Sequence, residues 1–138
     1  IQKLLVENHA YYCFCTPERL EEMHATQKSL KQLPKYDRHC LHLSKEEIKA
    51  NLAAKMPFTV RLVVPDHETV TFDDAIRGTI HINTSEIDDQ VLIKSNGIPT
   101  YHFAAAVDDH LMQITHVLRG DEWISSTPKA ILIYRYFV

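Results

Sequence analysis

The chain has 138 residues, 45% hydrophobic and 24% charged, with a formal net charge of −3. That suffices for one domain or two small ones and shows none of the basic excess that marks a nucleic-acid-binding surface. No apolar run reaches the roughly eighteen residues of a membrane-spanning helix, so no membrane association is expected, and three cysteines are too few for a disulfide framework and suit a reducing compartment, with a metal or free thiols.

Residues 1–10 read as the tail of a helix, with Ile1, Leu4 and Leu5 on one side. The abrupt start at Ile1 and end at Val138 read as a piece cut from a longer protein. Residues 10–14 (AYYCF) form a short aromatic strand. Thr16-Pro17-Glu18 then opens a helix with a cap, a first-turn proline and an early carboxylate. Leu20, Met23 and Leu30 give that helix its apolar side, and it should end near Leu33-Pro34. A polar loop leads to a second helix, where Ser44 and Glu47 have capping-box spacing and Ile48 and Leu52 face inward. From Pro57 the period turns strand-like. Residues 58–64, 70–72, 77–82 and 91–94 are β-rich runs, separated by Pro65-Asp66, Asp73-Asp74 and a polar link over 83–90. Together these make a compact α+β insert.

Cys13-x-Cys15 is followed, after 24 residues, by Cys40-x-His42. Three thiols and an imidazole can complete a tetrahedral zinc site of the structural kind. The chain has to bend for Cys13 and Cys15 to converge, since alternate residues of a strand lie about 6.6 Å apart along it. The alternative is that these two flank a strand residue and Cys40 is an incidental surface thiol. The remaining histidines show no ligand spacing.

The last third is the most informative. Asn96-Gly97 and Pro99 form a turn, and an apolar patch over 101–107 returns the chain to a sheet. Asp108 and Asp109 read as caps on the turn at Leu111-Met112 rather than as an acid/base or magnesium pair. A β-branched strand over 114–118 stops at Arg119-Gly120-Asp121-Glu122-Trp123. A helix follows, capped by Ser126 or Thr127, with Pro128 in its first turn and Ala130, Ile131, Ile133 and Tyr134 on its apolar side. Strand, polar turn and helix form the unit of nucleotide-binding α/β sheets, whose ligands sit beyond the carboxyl ends of the strands. Arg119, Asp121, Glu122 and Trp123 are therefore the candidate site. A guanidinium there can hold a carboxylate through two parallel hydrogen bonds; the alternative is that Arg119 pairs with Asp121 or Glu122 on a solvated turn, and that Trp123 packs under the final helix.

The segments PTYHFA, VDDHLM, ITHVLRGDEW and STPK, with YYCFCTPERLE and FDDAIRGTI upstream, resemble glutamyl-tRNA synthetase, a class I aminoacyl-tRNA synthetase of bacterial or organellar type, in the same order and over essentially the whole chain. The resemblance implies an α/β fold: a fragment of a Rossmann-like sheet carrying an inserted connective domain that docks on the tRNA acceptor stem. Residues 1–11 would end the first half of the catalytic domain, 12–100 would be the insert, and 101–138 would begin the second half. The two ATP signature motifs would lie outside the piece, which alone should be inactive. The full enzyme, a monomer in the cytoplasm or mitochondrion, would join glutamate to ATP with Mg2+ as glutamyl-adenylate, then transfer it to the 3′ end of tRNA(Glu).

By matching position, Tyr101 and Arg119 look like glutamate-binding residues, and Asp121, Glu122 and Trp123 lie where the family approaches ATP and the tRNA end. Some members carry zinc at a pattern like Cys13, Cys15, Cys40 and His42. Relatives that glutamylate a modified tRNA base, queuosine, use a tyrosine where Tyr36 stands. Those relatives, a glutaminyl enzyme, and a non-catalytic zinc-stabilised RNA-docking domain are the other readings.

Overall fold

In the structure, a computed structural model that describes residues 1–137, the chain divides into two units: Ile1–Val63 with Asp88–Ile98, and Val64–Ile87 with Pro99–Val138.

The first unit is built on alternation. Strand β1 (Ala10–Cys13) pairs antiparallel with β2 (Thr59–Leu62), which pairs antiparallel with β5 (Val91–Ile93), giving the order β1-β2-β5. Successive side chains of a strand point to opposite faces. Tyr11 and Cys13 accordingly enter one buried cluster, while Tyr12, half-buried, stacks with Phe14 and meets Phe58 edge-on. A short helix α1 (Gln2–Val6) precedes β1 and buries Leu4. Helix α2 (Pro17–Ser29) begins as expected, with Thr16 Oγ1 accepting from the Arg19 amide. It turns Leu20 and Met23 onto the Tyr11–Cys13 cluster. It stops earlier than expected: Lys31 adopts φ +55° and Leu30 is exposed rather than part of the apolar side. Helix α3 (Lys45–Ala53) carries the full capping box, Ser44 Oγ accepting from the Glu47 amide and the Glu47 carboxylate accepting from the Ser44 amide. Ile48 and Leu52 are half-buried.

The second unit sets a hairpin beside two helices. Strands β3 (Thr69–Asp74) and β4 (Gly78–Asn83) pair in register from Thr69↔Asn83 to Asp74↔Gly78. Their turn is fixed by Asp74, whose carboxylate accepts from the amides of Ile76 and Arg77, and by Gly78 at φ +75°, which a side chain would strain. Helices α4 (Tyr101–Leu111) and α5 (Thr127–Phe137) pack together, burying Phe103, Ala106, Leu132 and Ile133. Arg135 of α5 forms an ion pair with Glu68 just before β3.

Three expectations for this region fail. Tyr101 opens a helix rather than a strand: 101–107 holds no β-branched residue before Val107 and three consecutive alanines, and alanine is the strongest helix former. Asp108 and Asp109 lie inside α4 instead of capping a turn, and the Asp108 carbonyl accepts from the Met112 amide. Residues 114–118 have strand composition but no strand, because no described segment offers them a ladder; a strand without hydrogen-bonded neighbours is not stable in water. Leu118 is consequently 96% exposed.

Candidate functional site

Each unit holds one cluster of chemically useful side chains. In the first, β1 ends at Cys13, so Cys15 lies two residues beyond the strand. The Sγ atoms of Cys13, Cys15 and Cys40 lie within 4.8 Å of one another, with Cys15 and Cys40 3.5 Å apart. A tetrahedral metal with bonds of about 2.3 Å holds its sulfurs about 3.8 Å apart, so the spacing fits a metal. All three cysteines are free thiols.

His42 lies outside this group of ligand atoms. Cys40 and His42 share the 3-10 turn His39–His42, entered through Arg38 in the left-handed region at φ 59°. At three residues per turn, a side chain two positions on points about 120° away: Cys40 is buried and His42 exposed. Tyr36, 3% exposed, stands beside the three thiols: its hydroxyl lies 3.4 Å from Cys13 Sγ and 3.2 Å from Cys15 Sγ and accepts from the Cys40 amide at 3.0 Å. Arg19 on α2 reaches Cys15 Sγ at 3.4 Å, and the Phe14 amide donates to Cys40 Sγ at 3.4 Å. Cys40 titrates above the ordinary thiol range and Cys13 below it. The Cys40 hydrogen bond lowers Cys13 most, ahead of burial, which opposes, and Tyr36, which helps; the same bond holds Cys40 up. A metal binds thiols as thiolates, so loading this cluster would release protons.

Behind the thiols lies a buried polar network that no local pattern announces. Asp89, fully buried, accepts from the Tyr11 hydroxyl and from Arg38, each at 2.9 Å. Arg61, 7% exposed on β2, donates to the Asp89 carbonyl at 2.9 Å and sets its guanidinium carbon 4.0 Å from the centre of the Tyr36 ring. The Tyr36 amide donates to Asp88 at 2.8 Å.

The second cluster is aromatic and cationic. Tyr101 and His102 stand in the first turn of α4, and Trp123 in the 3-10 turn Asp121–Ser126. Their rings meet pairwise, with Tyr101–Trp123 centroids 5.6 Å apart and His102–Trp123 centroids 5.7 Å apart. The Arg119 guanidinium sits 5.6 Å from the Tyr101 ring and 5.4 Å from the Trp123 ring. His102, Arg119 and Trp123 line a cavity of about 430 Å³ with Ala105 and Phe72. His102 titrates below its ordinary value, through burial first and then the positive charges of Lys129 and Arg119.

The alternative pairings of Arg119 are not made. Asp121 forms an ion pair with Arg77 on the hairpin turn, and the Glu122 carboxylate folds back over Gly120, where a Cβ would lie 2.3 Å from its Oε2. Among the described residues Arg119 has no carboxylate partner, and its hydrogen-bonding edge is exposed to solvent. Trp123 is half-buried in this cluster. The Ser126 and Thr127 hydroxyls, expected to cap α5, instead donate to the Trp123 carbonyl and hold the turn closed. His102 and Lys129 are the members that sequence reasoning missed; the adjacent Tyr-His pair after Thr100 was the available signal.

A fold and site of this kind have known counterparts. The family described as tRNA synthetases class I (E and Q), catalytic domain, matches residues 1–138. A glutamate–tRNA ligase of Clostridioides difficile is 53% identical over 99% of this chain and 28% of its own length, and one of Lachnoclostridium phytofermentans is 56% identical over 98% and 29%. The crystal structure of a glutamate tRNA ligase from Elizabethkingia meningosepticum superposes with a TM-score of 0.90 at 37% identity, over 98% of this chain and 28% of that one. The chain thus spans somewhat over a quarter of these relatives and shares their mixed α/β architecture. It belongs to the class I tRNA synthetases of the glutamate and glutamine type, as part of their catalytic domain.

Proposed function

We propose that this chain is part of a glutamate–tRNA ligase that joins glutamate to ATP, with Mg2+, as glutamyl-adenylate and passes the glutamyl group to the 3′ end of tRNA(Glu). The observation that carries the reading is Arg119, an unpaired guanidinium braced by Tyr101 and Trp123 at the rim of a cavity. A planar cation held over two rings keeps its donors aligned for a carboxylate. The Tyr101 hydroxyl beside it would take a second contact with glutamate. The Elizabethkingia relative was crystallised in complex with its amino acid, and a glutamate-sized ligand at this cluster is consistent with that.

Adenylyl and acyl transfer ask mainly for positioning and charge stabilisation from the protein, which Arg119 and Lys129 would supply here by their positive charge. Asp121, Glu122 and Trp123 would border the ATP and the tRNA end, Asp121 doing so while held by Arg77. In this reading residues 1–11 end the first half of the catalytic domain, 12–100 form the connective, acceptor-stem-binding insert, and 101–138 open the second half. The whole enzyme works as a monomer in a reducing compartment, the bacterial cytoplasm or the mitochondrion.

The thiol cluster suits zinc, a metal that favours tetrahedral thiolate sites. Cys13, Cys15 and Cys40 would hold it with Tyr36 rather than His42, and zinc there would supply a structural tie between β1 and the 36–40 loop. The same Tyr36 placement favours a second reading, a relative that glutamylates a tRNA base. The two separate by experiment. The full-length protein should catalyse glutamate-dependent ATP–pyrophosphate exchange and charge tRNA(Glu). Exchange with glutamine alone points to the glutaminyl branch, and no exchange at all to a non-catalytic RNA-docking domain.

A further inference from the structure

A buried cation needs a countercharge, because an unpaired charge inside a protein costs several kcal/mol even after relaxation. Arg38 has its own: its guanidinium pairs with Asp89 at 2.9 Å. Arg61 does not. It is 7% exposed and donates to the Asp89 carbonyl, a neutral acceptor. Its Nε has no hydrogen-bond partner, and among the described residues no carboxylate forms an ion pair with it. The neighbouring carboxylates are otherwise engaged, Asp89 by Tyr11 and Arg38 and Asp88 by the Tyr36 amide. What Arg61 does face is the ring of Tyr36, at 4.0 Å, whose hydroxyl reaches Cys13 and Cys15. Tyr11, its cross-strand partner on β1, belongs to the same buried cluster as Cys13, Tyr36 and Cys40.

The thiol cluster has the complementary problem. Three thiolates around one divalent cation carry a net charge of about −1, and Cys13 and Cys40 are 2% and 3% exposed, so water cannot offset it. Arg19, which touches Cys15, already shares its charge with Asp37 in a half-exposed pair.

We propose that Arg61 is the buried countercharge and positioning residue of the metal-loaded thiol cluster, stacked on Tyr36 so that the ring and the cluster's negative charge are held by one guanidinium. This rests on the zinc reading above and adds a residue that touches no metal. Residues that support metal ligands from behind typically govern affinity by about 10–100-fold, and that is the effect expected here.

The test is zinc affinity of the full-length reduced protein, by competition with a chromophoric chelator, for the parent, Arg61→Met and Arg61→Lys. Cobalt substitution serves as the spectroscopic readout, since thiolate-to-cobalt absorption reports the ligand set. Arg61→Met should bind zinc about 10–100-fold more weakly, and Arg61→Lys, which keeps the charge, should retain most of the affinity. Chemical denaturation with and without zinc separates charge from packing: the Met variant should lose more of the zinc-induced shift in midpoint than of the metal-free midpoint. Zinc affinity of Arg61→Met within twofold of the parent, or an equal loss of midpoint with and without zinc, overturns the proposal. If the Met variant does not fold, a Lys variant that binds zinc about 10-fold or more weakly than the parent overturns it equally. A parent that binds neither zinc nor cobalt refutes the zinc reading itself, a distinct outcome.

Discussion

Replacing Arg119 by alanine separates a binding role from a structural one, because the two predict losses of different size in different assays. Structurally the side chain contributes little. It is exposed, makes no ion pair among the described residues, and touches its surroundings through rings at 5.4 and 5.6 Å. A cation–π contact at an exposed site is worth about 0.5–1 kcal/mol, so the urea midpoint should move by that much or less. If Arg119 pairs with a carboxylate of glutamate in a closed site, losing a charged hydrogen-bonded pair costs about 2–4 kcal/mol. That lowers kcat/KM for glutamate by roughly 30- to 1000-fold. Arg119→Lys should recover only part of this, since an ammonium cannot reproduce two parallel bonds to a planar carboxylate. The assay is glutamate-dependent charging by the full-length variant, with ATP held saturating. A loss confined to stability, or a kcat/KM for glutamate within threefold of the parent, removes Arg119 from the pocket.

Further outcomes follow from the first unit. Cys40→Ser should release about one equivalent of zinc per chain, measured by metal analysis of reduced protein purified without chelators; native protein that holds no zinc under those conditions rejects the site. Asp89→Asn should destabilise by about 3–5 kcal/mol in urea unfolding, because it strips Arg38 of its buried partner; a cost under about 1 kcal/mol would mean that water already serves the network. Asp37 titrates below the ordinary carboxylate range: burial opposes this, but the hydrogen bond from Arg19 and the His39 amide outweigh it. A carboxyl lowered in the folded state stabilises above its unfolded pKa, and the contribution disappears as pH falls through the folded value. Asp37→Asn should therefore flatten the acid side of the stability curve and leave the alkaline side alone, read from unfolding midpoints across pH; an unchanged acid limb would show that the Arg19 pair is fully screened.

Local signals carried much of this fold. Thr16-Pro17, the Ser44–Glu47 box and the alternation of Tyr11 and Cys13 against Tyr12 and Phe14 each act within a few residues, so their outcome could be read from neighbours alone. Residues 114–118 could not, because β composition becomes a strand only when another segment supplies the ladder. Helix propensity outweighed the expected strand at Tyr101 for a similar reason: a run of alanines specifies a helix by itself. At the thiol cluster the three cysteines were legible, but the fourth position depended on the left-handed turn at Arg38, which points Cys40 inward and His42 outward. Arg61 and Asp89 were invisible for a deeper reason, since nothing within their own segments reveals a counterpart 28 residues away.

What most directly tests the assignment is where labelled glutamate ends up. With full-length protein, ATP and purified tRNAs, glutamate should attach to tRNA(Glu), and removal of the 3′-terminal adenosine should abolish the transfer. Glutamate attached to a tRNA that has lost that adenosine, or glutamine attached in its place, would contradict a glutamate–tRNA ligase built around Tyr101 and Arg119.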